Sequence, residues 1–359
     1  MANSDIPVVV GLDNGGNSNN ATVLDLNGRF LVDTLVETPC QVLKGPEAAV
    51  EALADALEQV LVRTGTSREL VRAVGLDTPG PASAAGVISS RGSTNFSQPG
   101  WRGYDIRGAL ERRLGLPVVY HNDGNAAALY AHHTYFRDDP MRRSSVSAIV
   151  GTGLGGGVVE RGQVVTGAAG MAGELGHVHI PLFGLLAEGQ PVPLCNCGFV
   201  GDAESVASLT GIRRNLLPYW LTRFVGHPLG DLDPVEAAKR VRSYGVDSDP
   251  MAIRIFEQQA MALGRLFTIV ANFTDPDAYF VGGGVVEASP EFREWFLATV
   301  RANTNLRTEQ EERARFALVP DLDMAGARGS AIAALTFLNG DRHGTDQLAG
   351  DRPVGPAPP

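Results

Sequence analysis

Glu174 and His177 stand three residues apart in Ala172-Gly173-Glu174-Leu175-Gly176-His177. Cys195 and Cys197 follow with one residue between them, and then Asp202 and Glu204. Thiolates, an imidazole and a fourth donor make a tetrahedral zinc site, so His177, Cys195 and Cys197 are candidate ligands, with Asp202 and Glu204 close by as partners. A histidine on its own is more often structural than a ligand; the neighbouring thiols raise its standing. Glu174 lies between glycines, a setting that suits close packing on something polar, although a surface glutamate is the plainer alternative. Gly151-Thr152-Gly153-x-x-Gly156 matches the dinucleotide fingerprint in form, but a hairpin pattern, VVERGQVV, follows it instead of the helix which that mechanism needs. The sequence also has no G-x-x-x-x-G-K-[ST] run. What remains is either a tight glycine hairpin or a turn whose amides, around Thr152 and Gly153, cradle phosphate.

Two aspartates complete the chemistry. Asp13 ends an apolar strand just before Gly15-Gly16, where a carboxylate either holds Mg2+ beside phosphate oxygens or simply forms the turn. Asp123, in His121-Asn122-Asp123-Gly124-Asn125, sits where a strand hands over to a helix. It either takes a proton from a sugar hydroxyl as that oxygen attacks phosphorus, or it caps the helix.

Elements must position these residues. Val8–Asp13 reads as a strand leading into Gly15-Gly16, then NATVLDL as a second strand, an Asn27-Gly28 turn, and RFLVDTLVE as a third. A helix is predicted over 46–64, with Ala49, Leu53, Leu57, Val60 and Leu61 on one face. A strand over 72–77, a helix over 106–114 and a strand over 117–120 follow. From Ser145 the opening plan recurs: strand VSAIV, glycine turn GTGLGGG, strand VVE, turn Arg161-Gly162, strand QVV. Two such meanders, each followed by helical material, imply two similar α/β domains facing one another. The chain after Cys197 reads as mostly helical to Asn272. A strand at 278–281 then ends in Gly282-Gly283-Gly284, and a last helix is predicted over 325–338. The expected division is 1–120 plus 325–338 as a small domain, 121–324 as a large one, and 339–359 as a disordered tail.

Composition narrows the class. The 359 residues are 44% hydrophobic and 19% charged, an ordinary globular balance. A net charge of −10 argues against a nucleic-acid or anionic-membrane partner. No apolar run is long enough to span a bilayer and no basic leader precedes one, so a cytoplasmic enzyme is expected. Three cysteines cannot close a disulfide framework.

In order, these motifs resemble the ROK family (repressors, open reading frames and kinases) over about Val8 to Leu338. The most specific part is A-G-E-x-G-H followed by C-x-C-G-x-x-G and a glutamate. The resemblance implies an α/β, two-domain actin-like (ribonuclease H-like) sugar kinase fold with an interdomain cleft. It also implies ATP with Mg2+, a structural Zn2+ and a homodimer. The family's Asp-x-Gly-Gly phosphate loop falls on Asp13, Gly15 and Gly16, and its catalytic base on Asp123. Its hexose-holding positions fall on Asn95, Asn122, Asp123, Glu174, His177 and Glu204, with the turn at Gly80 nearby. Its adenosine side falls on the Gly283-Gly284 turn and on Gly326 to Gly329. His177 would then put one nitrogen on zinc and the other on the sugar.

Three positions depart from the pattern. Asn17 stands where the family continues with threonine, Asp202 replaces the third zinc cysteine, and His121 replaces a glutamate. The span from His177 to Cys195 is also longer than usual and is expected near the sugar. The leading expectation is ATP-dependent phosphorylation of a hexose, glucose at its 6-hydroxyl. Mannose, an amino sugar, an N-acetyl sugar or a cyclitol is the alternative substrate, and polyphosphate the alternative donor. The other class is a non-catalytic sugar sensor. The family's repressors carry an N-terminal helix-turn-helix, whereas this chain enters its first strand by residue 8, which favours the enzyme.

Overall fold

Alternate residues of the first strand serve two different cores. Val8, Val10 and Leu12 join one apolar cluster and Val9 another, as a period of two requires when both faces are covered. The computed structural model describes residues 6–80, 82–83, 85–89, 96, 98–319 and 322–343. Its strands are β1 Val8–Asn14, β2 Ser18–Asp25, β3 Val36–Pro39, β4 Val71–Thr78, β5 Val118–Asn122, β6 Ser145–Val150, β7 Leu154–Glu160, β8 Gln163–Val164, β9 Ala278–Gly283 and β10 Arg315–Leu318. Its helices are α1 Pro46–Thr64, α2 Ile106–Leu114, α3 Asp123–Phe136, α4 Leu209–Gly211, α5 Leu217–Arg223, α6 Pro234–Val246, α7 Pro250–Thr274, α8 Pro290–Ala302, α9 Thr308–Glu311 and α10 Leu322–His343.

The echo in the sequence becomes a repeated sheet. One sheet runs β3-β2-β1-β4-β5 and the other β8-β7-β6-β9-β10, read in the same sense. In each, the first three strands pair antiparallel as a meander and the last two add in parallel. The two sheets are tied by exchanged helices. α3 leaves β5 of the first sheet and packs on β6 and β7 of the second, while α10 leaves β10 of the second and packs on β1, β2 and β4 of the first. Where α3 and α10 meet, a Cβ at Gly329 would lie 1.9 Å from the Ala126 carbonyl oxygen, so only glycine permits the approach.

Four expectations need correction. The third strand does not occupy 29–37: after the turn at Gly28, Phe30 makes a single bridge to Leu24, and pairing resumes only at Val36. The intervening chain serves α10 instead. Phe30 lies under the Arg328 guanidinium, which donates to the Val32 and Asp33 carbonyls. The second glycine turn is shorter than read, because Gly155 to Gly157 belong to β7. There they make room for α3: a Cβ at Gly157 would meet Asn125 Oδ1 at 2.6 Å and Ala128 Cβ at 2.9 Å. Regular helix after Cys197 begins only at Leu209, since residues 198–208 turn back to present Asp202 and Glu204. The last helix runs on to His343, past the predicted start of the tail; residues 344–359 lie outside the described residues, as do 1–5. Among the described residues no helix is long and apolar enough to cross a membrane.

Candidate active site

The carboxyl-terminal ends of the parallel strands β1, β4 and β5 lie side by side, and each delivers an acidic or amide side chain. On β5 this is Asn122, whose side chain caps α3 by accepting from the Asn125 amide at 2.8 Å. Asp123 is therefore the first residue of the helix and not its cap, which leaves its carboxylate free for other work. It accepts from the adjacent Gly124 amide, at 2.7 Å. Asp123 is open to the cleft, but the walls around it strip much of its hydration. That loss, with the nearby charges of Asp13 and Glu174, raises its pKa to about 6. Asn122 Nδ2 donates to Glu174 Oε1 at 3.2 Å, tying the β5 end to the Gly173-Glu174 turn of the second half. Burial also pushes His121 down to about 4, so its imidazole is neutral at physiological pH.

On β1, strand parity places Val9, Gly11 and Asp13 on the face toward α10. Asp13 sits against Gly326, where a Cβ would come within 2.9 Å of the Asp13 Cγ. Asn20 Nδ2 donates to Asp13 Oδ2 at 3.0 Å, and Asn14 Nδ2 to Asn19 Oδ1 at 2.6 Å. The unusual asparagine run is thus accounted for on one strand: Asn19 and Asn20 brace the β1–β2 hairpin and aim Asp13. Gly15, Gly16 and Asn17 form its turn, with Asn17 exposed. The sequence reading missed Asp77, the partner of Asp13 on β4. The repeat of Val-Gly-Leu-Asp at 10–13 and 74–77 was the signal that marked it.

The third cluster is a ring of donors. His177 Nδ1 lies 3.2 Å from Asp202 Oδ2, 3.5 Å from the Cys197 Sγ and 3.9 Å from the Cys195 Sγ, and Cys197 Sγ lies 3.8 Å from Asp202 Oδ2. All four donor atoms fall within 4.8 Å of one another. Tetrahedral zinc, at its usual bond lengths, sets such ligands about 3.3–3.8 Å apart, so the donor set fits that ion. The same geometry turns His177 Nδ1 into the ring and leaves Nε2 without a hydrogen-bond partner among the described residues. Glu204 bridges this ring to the glycine turn: Oε2 accepts from the Leu154 amide at 2.9 Å and Oε1 from the Cys195 thiol at 3.2 Å.

The structure therefore gathers Asn122, Asp123, Glu174, His177 and Glu204 around one place. Burial raises Glu174, with His177 opposing and Glu204 adding to the shift. Gly80 lies just beyond β4 at φ 87°; Asn95 is outside the described residues. The residues assigned to the nucleotide are divided between the sheets: Asp13 to Asn17 on the first, Thr152, Gly153, Gly283 and Gly284 on the second. Gly153 faces Glu204, where a Cβ would lie 2.6 Å from Oε2. Gly283 has φ 98° and Gly284 O accepts from Arg242 at 2.6 Å. The long 181–194 span makes polar contacts to Tyr219, Arg223, Gln258 and Arg265 on α5 and α7, while its end pairs with Asn215 and with the Val200-Gly201 turn beside the ring.

The ROK family model matches residues 9–336. The chain belongs to the ROK family. Its relatives include a glucokinase of Streptomyces coelicolor, 32% identical over 77% of this chain and 82% of that protein. Another is an N-acetylmannosamine kinase of Citrobacter koseri, 31% identical over 74% and 78%. Among solved structures, a ROK hexokinase from Thermus thermophilus is 32% identical with a TM-score of 0.73, covering 93% of this chain and 99% of that one. A ROK glucokinase from Streptomyces griseus, in complex with glucose and AMPPNP, is 27% identical with a TM-score of 0.65, covering 92% and 99%. The ROK fold here is the actin-like sugar kinase fold, and the repeated sheets and exchanged helices are its frame.

Proposed function

We propose that the protein is an ATP-dependent hexose kinase that phosphorylates glucose at its 6-hydroxyl. The observation that carries the reading is the isolation of Asp123: it is released from capping by Asn122, open to the cleft, and poised near pH 6 among Asn122 and Glu174. A base in that range is suited to accept a hydroxyl proton at neutral pH. The sugar oxygen forms its bond to the γ-phosphorus as the bond to the ADP oxygen breaks, and the hydroxyl proton passes to Asp123. Glu174, Glu204 and His177 Nε2 supply acceptors and a further polar group spaced to read the other hydroxyls, so an analogue lacking one leaves a buried group unpaired. Magnesium neutralises phosphate charge when bound; Asp13, held by Asn20, is the residue that would meet it.

Zinc fits the ring of His177, Cys195, Cys197 and Asp202 on donor type and spacing. Its contribution would be to fix the tautomer and direction of His177. We divide the chain into 1–120 with 325–338, and 121–324, with the cleft between them. Glucokinase among the relatives supports glucose, while the N-acetylmannosamine kinase keeps other sugars in play. The test is ADP release from ATP, coupled to a reporter, over glucose, mannose, glucosamine, N-acetylglucosamine, N-acetylmannosamine and a cyclitol, repeated with polyphosphate as donor. Glucose should give the highest kcat/KM. Turnover with none of them, alongside sugar binding, would replace the kinase reading with a sugar-binding regulator.

A further inference from the structure

The tetrapeptide Val-Gly-Leu-Asp occurs at 10–13 and again at 74–77, and the fold lays the two copies side by side. They pair in parallel register, Val10 with Val74, Gly11 with Gly75, Leu12 with Leu76 and Asp13 with Asp77. Both glycines are forced by α10: a Cβ at Gly11 would lie 1.9 Å from the Ala327 carbonyl oxygen, and one at Gly75 1.8 Å from that of Ser330. Two residues on, the same parity sends both aspartates to the same face, Asp13 against Gly326 and Asp77 against Ser330, about one helical turn apart.

Asp77 has no exposure to solvent. Its Oδ1 accepts from the Ser330 hydroxyl at 2.8 Å, while its Oδ2 is buried with no donor among the described residues. The carboxyl lies within hydrogen-bonding reach of that of Asp13, whose Oδ2 is taken by Asn20. Two neighbouring carboxylates in such a place are stable together only when a proton or a cation lies between them. Magnesium requires hard oxygen ligands and commonly takes one or two carboxylates beside phosphate oxygens. Asp13 is partly exposed and Asp77 is fully buried beside it, so an ion arriving from the cleft would meet Asp13 first.

We propose that Asp77 is a second carboxylate for the magnesium ion that enters with the nucleotide, acting with Asp13 across the ends of β1 and β4. Ser330 is then a positioning residue, which fixes one Asp77 oxygen and leaves the other for the cation. The inference rests on the kinase reading for the nucleotide but not for the cation, and the experiment separates the two. Binding of Mn2+ to the intact protein, without nucleotide or sugar, is followed by the electron paramagnetic resonance signal of the free ion. The wild type should take up Mn2+, and Asp77→Asn should bind it at least about tenfold more weakly with an unchanged circular dichroism spectrum. Ser330→Ala should fall between them. Equal affinity in wild type and Asp77→Asn, or no uptake by the wild type, overturns the proposal. Should Asp77→Asn fail to fold, iron-directed cleavage of the wild type decides. Fe2+ with ascorbate and peroxide should cut the chain beside both Asp13 and Asp77, and excess Mg2+ should suppress the cuts; absence of cutting near Asp77 overturns it. Neither readout involves turnover. A protein that binds Mn2+ through Asp77 yet phosphorylates nothing would refute the kinase reading alone.

Discussion

Asp123 is the proposed base, and its surroundings separate two roles that the sequence left open. A helix-capping aspartate would tolerate replacement by asparagine, since the two cap about equally well. Here the cap is Asn122, while Asp123 accepts from the Gly124 amide. Asp123→Asn should therefore lose about 10²–10⁴-fold in kcat while keeping most of its affinity for glucose, because the amide preserves size but cannot accept the proton. The wild-type pH profile provides a second reading of the same group. The base acts when ionised, and its pKa is raised to about 6, so kcat/KM should be level above that pH. Below it, kcat/KM should fall about tenfold per unit as protonation removes the base. A profile flat from pH 5 to 7, or a mutant as fast as the wild type, would take the role away from Asp123. The position of this residue was legible because a strand running into Asn-Asp-Gly-Asn and then an alanine run can only be a strand-to-helix junction. Asp77 was marked only by the repeat of Val-Gly-Leu-Asp. An aspartate before Thr-Pro-Gly otherwise reads as a turn former, and the parallel register is what sets it beside Asp13.

At the scale of elements, the loop from His177 to Glu204 combines candidate metal donors with groups assigned to the sugar. Its ligands were legible as types, because Cys-x-Cys and a nearby histidine have few other uses. The double engagement of Glu204 was not: one oxygen holds the Leu154 amide and the other meets the Cys195 thiol, contacts that depend on a chain reversal at 198–203 no local pattern announces. The third strand was misread for a related reason. RFLVDTLVE has β-propensity throughout, but the Arg328 side chain claims the carbonyls of Val32 and Asp33, and tertiary contacts override local preference. The loop makes a sharp prediction. Protein purified without added metal should carry one zinc per chain by elemental analysis, and Asp202→Ala should lose it. If His177 is aimed by the metal, that variant should also bind glucose more weakly, since Nε2 would no longer be held in place. Absence of stoichiometric zinc from the wild type, with glucose binding intact, would reduce the ring to a hydrogen-bonded cluster.

At the scale of the whole molecule, the feature that matters is how the two sheets are joined. Each contributes one helix to the other, and α3 and α10 cross at Gly329 and Ala126 with an alanine-rich core between them. Small side chains permit close approach while offering little to interlock, so the joint is tight at one point and has freedom about it. Asp123 stands at the end of β5 and at the start of α3, on that joint, whereas the residues assigned to the nucleotide are divided between the two sheets. Phosphoryl transfer requires water to be excluded from the attacked phosphorus, and the two sets must be brought together for the reaction to proceed. We therefore expect glucose to close the cleft by rotation about the α3–α10 crossing. Small-angle scattering should show a smaller radius of gyration with saturating glucose than without it. The change should persist in Asp123→Asn, which keeps the sugar contacts but not the base. Identical curves with and without glucose would mean that the sheets are already in their working arrangement. Exclusion of water would then fall to local loops, above all the glycine turn at 151–153 and the hairpin turn at 15–17.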